Sequence, residues 1–318
     1  MNIVIAYDGS NHAQAAVDDL RRSGMPRGVN ALVVSVGETF LPTPSASSAF
    51  VDVGSMSHRV VSTLVQARAE TAQVIAEASV LAREGTQRVH RHFPRWGVYA
   101  DHAVGTPAQA IMQKADDWRA DLIVVGSHGR SALARLALGS VSRQVATESR
   151  CPVRVARHVI DRGNTPVRII IAVDGSRDAE AAVHAVALRA WHERTEVRLI
   201  AVEDTVGTTG SMHLLPVATA LIGESQEEQV EKAHGMVKQA MDLLHHAGLQ
   251  VSTEIREGSP PEIVSESARA WEADCIFVGA RGFNSTPKRV RTGTVATTLV
   301  TYAPCSVEIV RSSGACAC

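Results

Sequence analysis

Short runs of consecutive apolar residues alternate along this chain with longer stretches in which apolar positions recur every three or four residues. Runs such as Ile3-Val4-Ile5-Ala6 and Ile169-Ile170-Ile171-Ala172 suit strands buried on both faces, and the 3.6-residue period suits helices laid over them. The repeated order of strand, helix and strand predicts βαβ units and an α/β fold. Five strands are expected near 2–7, 30–36, 97–103, 121–126 and 152–156, and five more near 168–173, 196–202, 249–256, 274–279 and 306–310. A long helix is expected from about 59 to 93, after a Pro- and Ser-rich loop at 41–48.

The two sets of strands are copies of one pattern. Asp8-Gly9-Ser10 recurs as Asp174-Gly175-Ser176, Gly105-Thr106-Pro107 as Gly258-Ser259-Pro260, and Cys151-Pro152-Val153-Arg154-Val155 as Cys305-Ser306-Val307-Glu308-Ile309. The chain is therefore expected to hold two tandem domains, 1–157 and 168–312, with a linker at 158–167, where Asp161 to Pro166 gathers turn formers, and a tail at 313–318. Each domain is expected to be a Rossmann-like, five-stranded parallel sheet with helices on both faces.

Bulk composition narrows the functions open to such a chain. Its 32 basic and 33 acidic side chains leave a formal net charge of −1, without the positive footprint that binding a phosphate backbone needs, so nucleic acid is not an expected partner. No run of ~20 apolar residues suggests a membrane span, and the first strand begins without a basic leader, so a cytoplasmic location is expected. Five cysteines without paired spacing read as free thiols, and Cys316-Ala317-Cys318 reads as a frayed tail.

Candidate chemistry concentrates after the fourth strand, where ligands bind in open parallel sheets. There the first copy reads Gly126-Ser127-His128-Gly129-Arg130, and then Gly139-Ser140-Val141-Ser142 opening a helix. A helix start offers unpaired N–H groups, a positive dipole end and hydroxyl donors to an anion, and Gly139 is expected to use its freedom to adopt positive φ. His128 lies inside the loop, either against a ligand or as a simple turn residue, with no carboxylate evident to orient it. Asp8 either caps the helix that begins near Asn11 or faces a ligand. Other histidines, His90, His92, His245 and His246, have separations that read as surface positions rather than metal ligands.

Together, Gly-x2-Gly-x9-Gly-Ser, Asp8 after strand one and Val36 at the end of strand two resemble the universal stress protein family, along nearly the whole of both copies. The resemblance implies the adenine-nucleotide α-hydrolase-like fold and, for the first copy, the ATP-binding branch with a regulatory role in stress response. It implies that Gly126, Gly129, Arg130, Gly139, Ser140, Val141 and Ser142 surround ribose and phosphates of ATP, with or without Mg²⁺. Asp8 would then lie on the nucleoside side, and Val36 would meet adenine.

In the second copy Asp174, Val202, Gly279, Gly282, Gly293 and Thr294 match these positions, and the resemblance implies at most a weaker second site there. Ten rather than nine residues separate Gly282 from Gly293, Pro287 interrupts the loop, and Thr294-Val295-Ala296 replaces Ser-Val-Ser. Lys288, Arg289 and Arg291 either pair with phosphate or form a solvated basic loop.

No Gly-x4-Gly-Lys loop, Gly-x-Gly-x-x-Gly turn or nucleophile elbow is present, so no catalytic residue is assigned. Two other readings stay open, an α-hydrolase-type enzyme and a scaffold with vestigial pockets. The fifth strands are expected to pair the copies as an intramolecular pseudo-dimer, and the pair to form a homodimer. Arg154 and Glu308 either face each other across that contact or face solvent.

Overall fold

A computed structural model describes residues 1–38, 58–129, 138–157, 165–203, 226–282 and 292–312. The loop at 41–48, Arg130, Pro287, Lys288, Arg289, Arg291, linker residues 161–164 and the tail at 313–318 lie outside them.

The first copy runs β1 (Asn2–Ala6), α1 (Asn11–Asp19), β2 (Asn30–Gly37), α2 (His58–His92), β3 (Gly97–Val104), α3 (Pro107–Asp117), β4 (Leu122–Gly126), α4 (Ser140–Glu148) and β5 (Val153–Ala156). The second repeats it with β6 (Arg168–Val173), α5 (Arg177–Ala187), β7 (Glu196–Glu203), α6 (Gln226–His246), β8 (Gln250–Glu257), α7 (Pro260–Ala270), β9 (Cys275–Gly279), α8 (Thr294–Tyr302) and β10 (Ser306–Val310). Strand ends fall within a residue of the sequence expectation.

Both copies join in a single ten-stranded sheet of order β3-β2-β1-β4-β5-β10-β9-β6-β7-β8. Every neighbouring pair is parallel except β5 and β10, which run antiparallel with Arg154 opposite Glu308. The strand that would be each copy's edge is thus covered by the other copy, and the sheet's ends are β3 and β8.

Alternation along each strand sorts the core into layers. Val4, Ile123, Val155, Ile170, Ile276 and Val307 point to one face, where α3, α4, α7 and α8 build an apolar core continuous across both copies. Ile3, Ile5 and Val124 point to the other face beneath α1 and α2, and Ile169, Ile171 and Phe277 lie beneath α5 and α6 in a separate cluster. Complete burial of each Ile contributes about 1.5–3 kcal/mol, which is why uninterrupted aliphatic runs end up in the central strands.

The seam carries charge as well. Arg154 and Glu308 are each only 1% exposed, which corrects the solvent-facing alternative. Arg154 Nη1 lies 3.2 Å from Glu308 Oε2, and its Nε lies 2.5 Å from Asp19 Oδ2. Arg189 donates to the other oxygen of Glu308. Burial works against the charge on Arg154, but Asp19 and then Glu308 more than offset it and hold the guanidinium well above its ordinary value. The thiol of Cys275, buried beside Arg154 Nη1 at 3.1 Å, is pushed up by burial to about 12 and stays protonated at neutral pH.

Candidate functional site

The turn after β1 sets the site's first wall. Asp8 Oδ1 accepts the Ser10 N–H at 3.0 Å, and Ser10, not Asp8, caps α1 by accepting the Ala13 N–H on its Oγ at 3.1 Å. The capping alternative for Asp8 is therefore corrected. Asp8 Oδ2 lies 3.1 Å from where a Cβ on Gly129 would be, so the carboxylate abuts the loop after β4.

That loop is held close to the sheet. A Cβ on Gly126 would lie 2.7 Å from the carbonyl carbon and oxygen of His12, so only glycine lets β4 end against the first turn of α1. Gly139 adopts φ −59° and ψ 149°, an ordinary conformation, which corrects the expectation of positive φ. What its lack of a side chain permits is close approach, because a Cβ there would lie 3.3 Å from His128 Cα and Ser127 O. The Gly139 N–H donates to Ser127 O at 2.9 Å and closes the loop.

Helix α4 starts at this point. Its first intrahelical bond runs from the Arg143 N–H to Gly139 O at 2.9 Å, so the N–H groups of Ser140, Val141 and Ser142 precede the ladder. Ser140 is exposed, whereas Ser142 is buried and donates its hydroxyl proton to Gly126 O at 2.6 Å. This corrects the expectation that both hydroxyls are donors to an anion: the Ser142 hydroxyl ties α4 to β4.

Asp8, Val36, Gly126, Gly129, Gly139, Ser140, Val141 and Ser142 line one cavity of about 730 Å³ at the carboxyl end of the sheet. That is within the ~300–1,000 Å³ of typical small-molecule pockets. Its apolar wall comes from Val34, Val36, Val74, Leu81 and Ile111, and carboxylates come from Asp8, Glu38 and Glu77. An apolar slot, carboxylates able to accept from hydroxyl or amino groups, and a helix N-terminus suit a ligand with a flat ring at one end and negative charge at the other.

Sequence reasoning missed Glu38, Glu77 and His12. Glu77 sits on a helix whose placement over the sheet no local pattern announces, and His12 follows a cap like any surface residue. The structure draws His12 under the loop instead. Its Nδ1 lies 3.3 Å from Ser127 Oγ, which in turn lies 3.1 Å from His128 Nδ1, and the two rings are 4.9 Å apart. Ser127 thus orients His128 where no carboxylate was evident, and His128 Nε2 is buried with no hydrogen-bond partner among the described residues. His90, His245 and His246 are exposed, and His92 pairs with Asp18 at 2.9 Å.

The second copy repeats the scaffold with different chemistry. Asp174 accepts the Ser176 N–H at 3.0 Å, a Cβ on Gly279 would lie 2.7 Å from Ala179 N, and Gly293 precedes α8 at Thr294 with φ −74°. Val202 packs on the same apolar core as Val36. Where the first copy has His12 and His128, the second has Asp178 and Arg281. The Asp178 carboxylate accepts from the Arg281 N–H at 3.1 Å, from Arg281 Nε at 3.2 Å and from the Ser312 N–H at 2.8 Å. Burial pushes this carboxyl up, but Ser312 and Arg281 outweigh it and hold the group below its ordinary range. An ionised carboxylate thus lies under the second loop and engages Arg281.

Among the described residues no group of three or more His, Cys, Asp or Glu side chains could hold a metal, and no helix is long and apolar enough to cross a membrane. The universal stress protein family model matches residues 1–157 and again 167–311. A universal stress protein of Thermus aquaticus is 33% identical over 159 residues, covering 49% of this chain and 97% of that one. Universal stress protein Rv2005c of Mycobacterium tuberculosis is 30% identical over 148 residues, 41% of this chain and 47% of that one. The crystal structure of a universal stress protein from Archaeoglobus fulgidus covers 98% of each chain with a TM-score of 0.62 at 17% identity, a likeness of fold.

Proposed function

The chain belongs to the universal stress protein family, and from that premise we propose that its first copy is a regulatory adenine-nucleotide site that holds ATP, with or without Mg²⁺, without turning it over. The observation that carries the proposal is the convergence of Asp8, Val36, the Gly126–Gly129 turn and the first turn of α4, whose N–H groups precede its hydrogen-bond ladder, on one cavity of about 730 Å³. The purine occupies the apolar slot by Val36, ribose hydroxyls meet Asp8, and the phosphates lie at the start of α4, where amides and the Ser140 hydroxyl donate to them. Ser142 contributes its N–H, since its hydroxyl serves Gly126.

The second copy, with Asp174, Val202, Gly279, Gly282, Gly293 and Thr294 in equivalent places, takes nucleotide more weakly, because Asp178 sets a negative charge beneath the phosphate loop and engages Arg281. The protein works in the cytoplasm, where occupancy of the first site alters the loops that a partner reads. Mass spectrometry of small molecules released from the purified full chain tests this. The expected result is an adenine nucleotide at close to one per chain, and a chain that neither carries nor takes up any adenine nucleotide overturns the reading.

A further inference from the structure

We infer that the seam between the two copies is keyed by charge, so that the first copy's β5 accepts the second copy and rejects another first copy. The antiparallel register sets Val153 against Ile309, Arg154 against Glu308 and Val155 against Val307. The Arg154–Glu308 pair therefore lies on the local two-fold axis of the repeat. Joining two first copies in the same register would set Arg154 against Arg154, and joining two second copies would set Glu308 against Glu308, because an isologous contact maps its central residue onto itself.

Four buried charges cross this axis in alternating sign: Asp19 and Arg154 from the first copy, then Glu308 and Arg189 from the second. Like-with-like pairing would bring two equal charges together at the centre, where Arg154 and Glu308 are 1% exposed and water screens little.

Elsewhere the seam has contacts that do not discriminate. Arg157 donates to the Val300 carbonyl in the last turn of α8, and its counterpart Arg311 donates to the Ala146 carbonyl at the matching place in α4. Those caps are two-fold symmetric and would survive self-pairing. Symmetry breaks at the charges, since Asp19 is matched by Ala185 and Arg189 by Ser23. It also breaks at Ser306, whose hydroxyl donates to Asp19 Oδ1 at 2.7 Å and whose counterpart is Pro152. A second molecule of this chain can thus enter the seam only by exchange, its second half replacing the resident one.

Mixing two full-length variants tests the key. Arg154→Glu sets two acids on the axis and Glu308→Arg sets two bases there, so each variant alone is expected to melt lower than the native chain and to form no dimer. Mixed, the Glu308→Arg chain supplies a native Arg154 and the Arg154→Glu chain a native Glu308. Native mass spectrometry should then show a heterodimer at least about tenfold more abundant than either self-dimer, a preference equal to one decade in equilibrium constant. Variants that melt as the native chain does, or self-dimers as abundant as the mixed one, overturn the inference.

Should either variant fail to fold, the native charges are kept and equal amounts of single Val155→Cys, Val307→Cys and Val153→Cys chains, all with Cys316 and Cys318 changed to Ser, are refolded together, since position 155 faces 307 of a second copy and would face 153 of another first copy. Protein concentration is raised until cross-chain disulfides appear, facing Cα atoms ~4.5–5.5 Å apart being suited to bridging. Bridges joining position 155 of one chain to position 307 of another, at least about tenfold over those joining 155 to 153, support the key. A statistical mixture overturns it.

Discussion

Arg154 and Glu308, matching positions in two copies of one sequence pattern, meet at 3.2 Å across the antiparallel pairing that fuses two parallel sheets into one. With Asp19 and Arg189 they form a chain of four buried charges, and removing one member leaves its neighbours uncompensated. Arg154→Met is therefore expected to cost about 3–5 kcal/mol in chemical denaturation. Replacing all four by apolar residues of similar volume should cost far less or stabilise, because the desolvation penalty disappears with the charges. A single variant as stable as the native chain would show that the network is solvated in solution.

Cys275 offers a probe of the same seam. Buried beside Arg154 with its pKa raised to about 12, it should react with a thiol reagent in the folded chain far more slowly than in denaturant. Arg154→Met should shorten the protection in step with the stability lost, which timed labelling and peptide mapping would read.

Asp178 should give the second copy an acid-sensitive stability. Its folded pKa lies below the ordinary 3.8, so the carboxylate contributes fully above about pH 4, and that contribution is lost as pH falls through the lowered value. Asp178→Asn is expected to lose about 1–3 kcal/mol at neutral pH and to show a flatter decline between neutral and acid than the native chain. Urea titrations at several pH values decide it, and parallel curves would contradict the assignment.

Most of the fold was legible because buried parallel strands are written as aliphatic runs, and Ile3-Val4-Ile5 or Ile169-Ile170-Ile171 have no comparable alternative. The repeat then supplied the second half from the first. Glycine spacing pointed to the loop after β4, but its reason was misread at Gly139, because sequence does not distinguish a need for positive φ from a need for closeness to Ser127 and His128. Ser142 was misread in a similar way, since a hydroxyl in a helix's first turn serves an anion or a neighbouring strand according to packing. His12 and Glu77 could not be found locally at all. They reach the site through the way α1 and α2 cross the sheet, which is a tertiary fact.

The two serines at the start of α4 should separate cleanly. Ser142→Ala removes a bond to Gly126 O and is expected to cost about 0.5–1.5 kcal/mol of stability, with little change in nucleotide affinity. Ser140→Ala, at an exposed position lining the cavity, should leave stability unchanged and weaken ATP several-fold. The reverse pattern would show that the Ser142 hydroxyl leaves Gly126 for the ligand.

Hydrolysis of ATP by the purified chain with Mg²⁺ should stay far below the 1–10³ s⁻¹ typical of enzymes, because the described residues that line the cavity include no lysine to cradle the phosphates for phosphoryl transfer. Turnover of a few per second, lost on Asp8→Ala, would make the protein an enzyme.

The most direct test of the account is calorimetric titration of the full chain and its Gly139→Asp variant with ATP. A carboxylate at residue 139 would lie at the N-terminus of α4, against Ser127 O and the phosphates, while φ −59° lets the backbone keep its conformation. The account expects saturable binding to the native chain with micromolar or weaker affinity, from amides and hydroxyls rather than lysines, and none to a variant that remains folded. ATP binding to Gly139→Asp with the native affinity would contradict it.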